Sequence, residues 1–237
     1  MTATSKQSTI DGVTLVYRKL LLVVPLIVVL TTVGRSQEVV DRLVATVSDG
    51  SSVEVITLSD IKWQLALQPN VPLDPMRKED IERARDSLID QRIFALESKR
   101  FPRPAPDAGV IKSEIARITK FFPSLADFEQ RLRSVGFSSV MDENFEELIT
   151  QRVLIEKYIE FRFSSFVVVT PDEISRYYRE TYVPAFRRRQ PGVVVPSLED
   201  KRSEIRSTLI EERVADRISE FLDDAKRRIE IDIIAEN

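Results

Sequence analysis

VVDRLVATVSDGSSVEVITLSDI, residues Val39–Ile61, is the stretch from which the rest of the chain is read. It opens as a strand, with Leu43, Ala45 and Val47 pointing one way and Arg42, Val44 and Thr46 the other. Asp49-Gly50-Ser51-Ser52 is turn chemistry, because Gly and Asp tolerate the backbone angles of a tight reversal. Val53, Val55 and Ile56 restart an extended run. Thr57 or Ser59 can then cap a helix that begins near Asp60, its side-chain oxygen accepting a free backbone N–H. A short hairpin feeding a helix is a compact organiser for a mainly helical chain.

The only comparable strand signal lies at the other end. Arg228–Ile234 alternates Ile229, Ile231 and Ile233 against Glu230 and Asp232. Isolated strands leave N–H and C=O groups unpaired, so each needs a partner. The simplest pairing is Ile229–Ile233 with Leu43–Val47, which closes the chain by its own ends. The expected fold class is therefore mainly α with a small β element.

Helical patterns fill the interval. The first runs from about Ser59 to Gln68 and ends at Pro69. Asp74-Pro75 reads as the start of a second, continuing to about Arg100 through Ile81, Ala84, Leu88, Ile89, Ile93 and Leu96. Phe101–Asp107 is a Pro-rich break, after which Asp107 caps a helix with the stripe Ile111, Ile115, Ile118 and Phe122. Ser124 and Asp127 resemble a capping box for a short helix carrying Leu125, Phe128, Leu132 and Val135, and Gly136 suits its left-handed cap. A long helix spans about Ser139 to Arg162, with Met141, Phe145, Leu148, Ile155 and Ile159 at spacings of three, four and seven. Thr170-Pro171-Asp172-Glu173 combines a cap, a first-turn Pro and an acidic first turn, and its helix holds Ile174, Tyr177 and Tyr178. Tyr182–Ser197, with three prolines, a glycine and Arg187-Arg188-Arg189, reads as a loop. Ser197 opens the last helix, to about Arg228.

Composition bounds the chemistry. A chain of 237 residues makes one sizeable core or two small lobes, and 43% hydrophobic with 31% charged residues is ordinary for a folded protein. A net charge of −3 gives no hint of nucleic acid, and with 6 glycines and no Gly-rich phosphate motif there is no nucleotide signature. The absence of Cys excludes thiolate nucleophiles, thiolate metal sites and disulfides, and the absence of His excludes imidazole acid–base work. No Ser, Lys, Tyr or carboxylate constellation replaces them, so no enzyme, cofactor or metal site is expected. Near the start, Arg18-Lys19 precedes Leu20–Val33, an apolar run of about 14 residues where a spanning helix needs roughly 20. Gly34 and Ser36 follow as small residues where a peptidase could cut. The order fits a secretory signal, with an uncleaved anchor, a buried helix or a downstream start as the other options, and export is the consequence of the first.

The Val39–Ile61 stretch resembles the opening of SurA-type and related extracytoplasmic foldases, at Val40, Asp41, Val44, Ala45, Val47, Ile56, Thr57, Ser59 and Asp60, with Ser48 where the family usually has Asn. Ser87–Arg100 is similar to a second family segment. Ser124, Phe128, Leu132 and Gly136 match a third, and Val169, Thr170, Glu173, Ile174, Tyr177 and Tyr178 a fourth. In many members a parvulin-type prolyl isomerase domain follows the Tyr-Tyr helix. Here only Tyr182–Ser197 stands in that place, and the histidines of a parvulin site are missing. The resemblance thus implies the helical peptide-binding part of a SurA- or trigger-factor-like protein without its isomerase. It implies a signal peptide or anchor at 1–36, a SurA-N-like helical domain at 37–181, a Pro/Arg-rich loop at 182–197, and a closing helix and strand at 198–237.

The function implied by the resemblance is that of an exported, periplasmic or otherwise extracytoplasmic, ATP-independent chaperone. It would bind unfolded or partly folded outer-membrane or envelope clients in an apolar cradle. The alternatives are a scaffold for one folded partner in the envelope and, disfavoured, a prolyl isomerase. Candidate peptide-binding residues are Trp63, Phe121, Phe122, Phe128 and Phe137, since rigid amphipathic rings suit adaptable apolar contact. The competing role for the same rings is a packed core, which is the ordinary fate of apolar helical stripes. Arg187-Arg188-Arg189 suits acidic lipid or client segments, so transient membrane contact stays open, although such a run is ordinarily just solvated.

Overall fold

In the computed structural model, which describes residues 41–101 and 104–234, the two ends of the described chain meet in one sheet. Strands β1 (Leu43–Ser48), β2 (Val53–Thr57) and β3 (Glu230–Ile233) lie in the order β2-β1-β3, antiparallel on both sides. Ala45 faces Ile56 on one neighbour and Ile233 on the other, while Val47 faces Glu54 and Ile231. The expected pairing of the C-terminal strand with Leu43–Val47 is present, and the chain is mainly helical around it. In the β1–β2 turn, Gly50 has φ +83° and the Asp49 carboxylate accepts from the Ser51 hydroxyl and from the Ser51 and Ser52 N–H groups. Those bonds hold its carboxyl well below the usual carboxylate range, the Ser51 hydroxyl first.

Helices α1 (Leu58–Ala66), α2 (Lys78–Lys99), α3 (Ala108–Thr119), α4 (Leu125–Ser134) and α5 (Glu143–Ile159) follow. Then come α6 (Pro171–Tyr177), α7 (Val183–Arg189) and α8 (Leu198–Lys226). Local chemistry sets most of the starts. Thr57, Thr170 and Ser197 each form a full capping box with the acid three residues on, and Ser124 and Asp142 cap α4 and α5.

The apolar residues sort into several clusters. The inner face of the sheet packs Ala45, Val47 and Ile56 on α1 and α2, with Ala225 and Ile229 closing from the end of α8. A second core joins α3, α4 and α5 through Ile111, Ile115, Ile118, Phe128, Leu132, Phe145, Ile149 and Val153. Smaller clusters centre on Phe94, Tyr158 and Phe163, and on Val169, Ile174 and Ile205.

Three boundaries differ from expectation, the first being α5, which starts at Glu143 under the Asp142 cap and not at about Ser139. Helix α2 starts at Lys78, not at Asp74-Pro75. The buried Asp80 carboxylate, in the first turn, accepts from Arg77 Nε at 2.6 Å and pairs with Arg83, which fixes the start there. The segment 182–197 is not all loop. The helix continues from α6 through a π-helical turn, Tyr178–Tyr182, into α7, and the chain leaves helical conformation only at Gln190. A widened turn ahead of Pro184 accommodates a residue that cannot donate, and Tyr178, Tyr182 and Phe186 stack in succession along it. The readings for 1–36, and for part of the Pro-rich break after Phe101, lie outside the described residues. Among the described residues no helix is long and apolar enough to cross a membrane.

Candidate functional site

Helix α5 presents two faces. Phe145, Ile149 and Val153 enter the second core, and on the adjoining side Leu148, Arg152 and Ile155 line the space toward α1 and α2, Leu148 packing against the core as well. Between these three helices lies a half-enclosed groove of about 550 Å³. Trp63 from α1, Leu88 from α2, and Leu148 and Ile155 from α5 supply its apolar surface. The Trp63 indole is held from behind: its Nε1 donates to the Val135 carbonyl at 3.1 Å, and its ring packs 5.1 Å from Phe137.

Polar groups cross the same groove in a connected series. Arg152 Nη1 donates to Gln64 Oε1 at 3.0 Å, and the Gln64 and Gln91 amides donate to the Ser87 hydroxyl at 3.4 and 3.2 Å. Arg92 pairs with Asp60 at 3.3 Å and donates from Nε to the Val55 carbonyl at 3.2 Å. Lys99 pairs with Glu54 of β2 at 2.5 Å. Burial pushes the Arg152 guanidinium below its ordinary pKa, Glu114 and Glu156 acting on it only through space. Among the described residues no three acidic side chains converge to hold a metal ion. Apolar surface, side-chain amides and two guanidiniums, one of them already paired with Asp60, suit non-covalent recognition of an extended chain, whose peptide groups both donate and accept.

The five aromatic candidates separate. Trp63 lines the groove. Phe122, Phe128 and Phe137 are buried in the second core and offer nothing to a partner, so a packing role replaces the expected binding role. Their rings pack closely there, Phe122 stacked on Phe128 at 4.4 Å and Phe137 edge-on to Phe145 at 5.3 Å. Phe121 is 61% exposed and lies outside the groove lining. Sequence reasoning missed Gln64, Gln91 and Arg152. Arg152 had a signal: it stands in the seven-residue gap of the stripe between Leu148 and Ile155, where spacing asks for an apolar residue. No family model matches the chain, and no curated protein matches it.

Proposed function

We propose that the protein is an exported chaperone that binds extended, non-native polypeptide segments in the groove between α1, α2 and α5 without a nucleotide cycle. The observation that carries this is the groove itself, about 550 Å³, where Trp63, Leu88, Leu148 and Ile155 lie beside side-chain amides. Apolar side chains of a client leave water against the first set, and its main chain meets the second. Volume alone would also suit a small molecule. The amide series favours a peptide, because it matches groups repeated along any extended chain.

Trp63 is the only tryptophan of the chain, so its emission reports the groove directly. Titration with a Trp-free, permanently unfolded polypeptide should shift that emission saturably, and the protein should suppress aggregation of an unfolding substrate at near-stoichiometric ratio. A folded protein that gives neither response overturns the proposal. A second reading, a scaffold for one folded partner, draws on exposed Phe161, Phe166 and Val168 beyond the end of α5. Substituting Phe166 and Val168 with Ser would then abolish capture of that partner and leave the Trp63 response intact.

A further inference from the structure

Arg152 is the group in the groove that the folded chain leaves unmatched, and the role inferred for it rests on the groove being a peptide-binding site. The other two cations lining the groove have carboxylates: Arg92 has Asp60 and Lys99 has Glu54. Among the described residues Arg152 has no carboxylate at ion-pair distance, and its hydrogen-bond partner is the neutral Gln64 amide. Of the two acids that act on it from a distance, Glu114 is already committed to Arg117 through two bonds of 2.6 and 2.7 Å, and Glu156 is exposed to water. A guanidinium is a planar fork of five donors, and Gln64 accepts from one of them. Withdrawing such a charge from water without an anion is costly, and a two-pronged carboxylate is the ligand that fits the fork.

We propose that Arg152 is a carboxylate subsite of the groove, receiving an acidic side chain or the C-terminal carboxylate of the bound polypeptide. The groove thereby prefers segments that carry a carboxylate flanked by apolar residues: the carboxylate lies on Arg152, the apolar neighbours on Leu148 and Ile155, and the main chain along Gln64 and Gln91. Glu147, whose carboxylate accepts from the Gln151 amide at 3.1 Å, lines the same groove and sets a counter-bias. It limits the preference to one well-placed acid and disfavours a run of them.

The test is a Trp63 emission titration with three short Trp-free peptides of equal apolar content. One carries a central Glu and an amidated end, one is neutral and amidated, and one is neutral with a free C-terminal carboxylate. At least one carboxylate peptide should bind about tenfold more tightly than the neutral amidated one, and which one does so identifies the source. Arg152→Gln should remove that preference, so that the carboxylate peptides bind no more tightly than the neutral amidated one, and Glu147→Gln should keep or enlarge it. Equal binding of all three by the wild type, or a preference that survives Arg152→Gln, overturns the assignment while the groove reading stands. Silence of Trp63 toward every peptide overturns both. If Arg152→Gln fails to fold, the wild-type and Glu147→Gln preferences decide.

Discussion

Phe121 and Phe128, both candidate peptide-binding rings by sequence, should respond in opposite ways to the same truncation. Phe128 is 0% exposed, its ring centroid 4.4 Å from Phe122 and 5.9 Å from Phe145. Phe128→Ala removes a fully buried ring and leaves a cavity in a core with helices on several sides, which costs about 3–5 kcal/mol. Part of that is the ring pairing, about 0.5–1.5 kcal/mol per pair beyond area. Phe121, seven residues earlier and 61% exposed, makes no ring contact among those described, and Phe121→Ala should stay within about 0.5 kcal/mol of wild type. Urea unfolding separates the two. At a slope of about 2 kcal/mol/M, Phe128→Ala lowers the midpoint by roughly 1.5–2.5 M with the slope unchanged, and Phe121→Ala hardly moves it. A loss below about 1 kcal/mol for Phe128→Ala would refute the assignment of this ring to the core. So would a Phe121→Ala loss as large as that of Phe128→Ala.

Other perturbations test the remaining joints. Ile229 is buried where the chain leaves α8 for β3, so Ile229→Ala should cost about 2–4 kcal/mol, read from the denaturation midpoint. Asp80→Asn removes the buried carboxylate that Arg77 and Arg83 share at the start of α2 and should cost about 1–3 kcal/mol by the same measurement. Glu173 has its carboxyl pulled down to about 2, first by the Thr170 backbone N–H and then by Arg213. A depressed folded value means that its contribution is complete above the ordinary 4.5 and fades as pH falls toward 2. The Tm difference between wild type and Glu173→Gln should therefore be constant near neutrality, shrink below pH 4.5 and close near pH 2.

The sheet was legible because a period of two appears at both ends of the chain and a single strand cannot satisfy its own backbone. The caps at Thr57, Ser124, Thr170 and Ser197 were legible because capping depends on residues three apart. Direction could not be read locally. Helical spacing put Phe122 on the stripe of Ile111, Ile115 and Ile118 and left Phe121 off it, but whether that stripe meets a packed core or a client is decided only by the docking of α3 on α4 and α5. Proline counting misled at Tyr182–Ser197, since Pro184 lies early in α7, behind a widened turn, and the helix runs on to Arg189. The start of α2 depended on a buried carboxylate between two arginines, which no propensity at Asp74-Pro75 encodes. For the groove, the sequence offered only the gap in the α5 stripe, and a gap identifies an exceptional position without saying what it faces.

The groove is a seam between two cores, not a hole in either, and this explains why most of the aromatic candidates support it without lining it. Its first wall, α1, is pinned at both ends. Thr57 and Asp60 cap its start, and Arg131 from α4 donates to the Leu65 and Ala66 carbonyls, each at 2.9 Å, in its last turn. Burial pushes the Arg131 pKa down, yet the guanidinium keeps its donors on carbonyls at the C-terminal end of α1, where intrahelical partners run out. The second wall, α2, is tied to the hairpin through Arg92 on Val55, Lys99 on Glu54 and Arg100 on Asp49. The third, α5, is carried by the second core through Phe145, Ile149 and Val153, on the side that adjoins Leu148 and Arg152. The two sides of the seam therefore draw their stability from different residues: the hairpin and β3 on one, the stacked phenylalanines on the other. A substitution at Arg152 therefore changes what binds in the seam and is separable in experiment from Phe128 and Ile229, whereas Trp63, bonded to Val135 and packed on Phe137, belongs to the groove and to the second core at once.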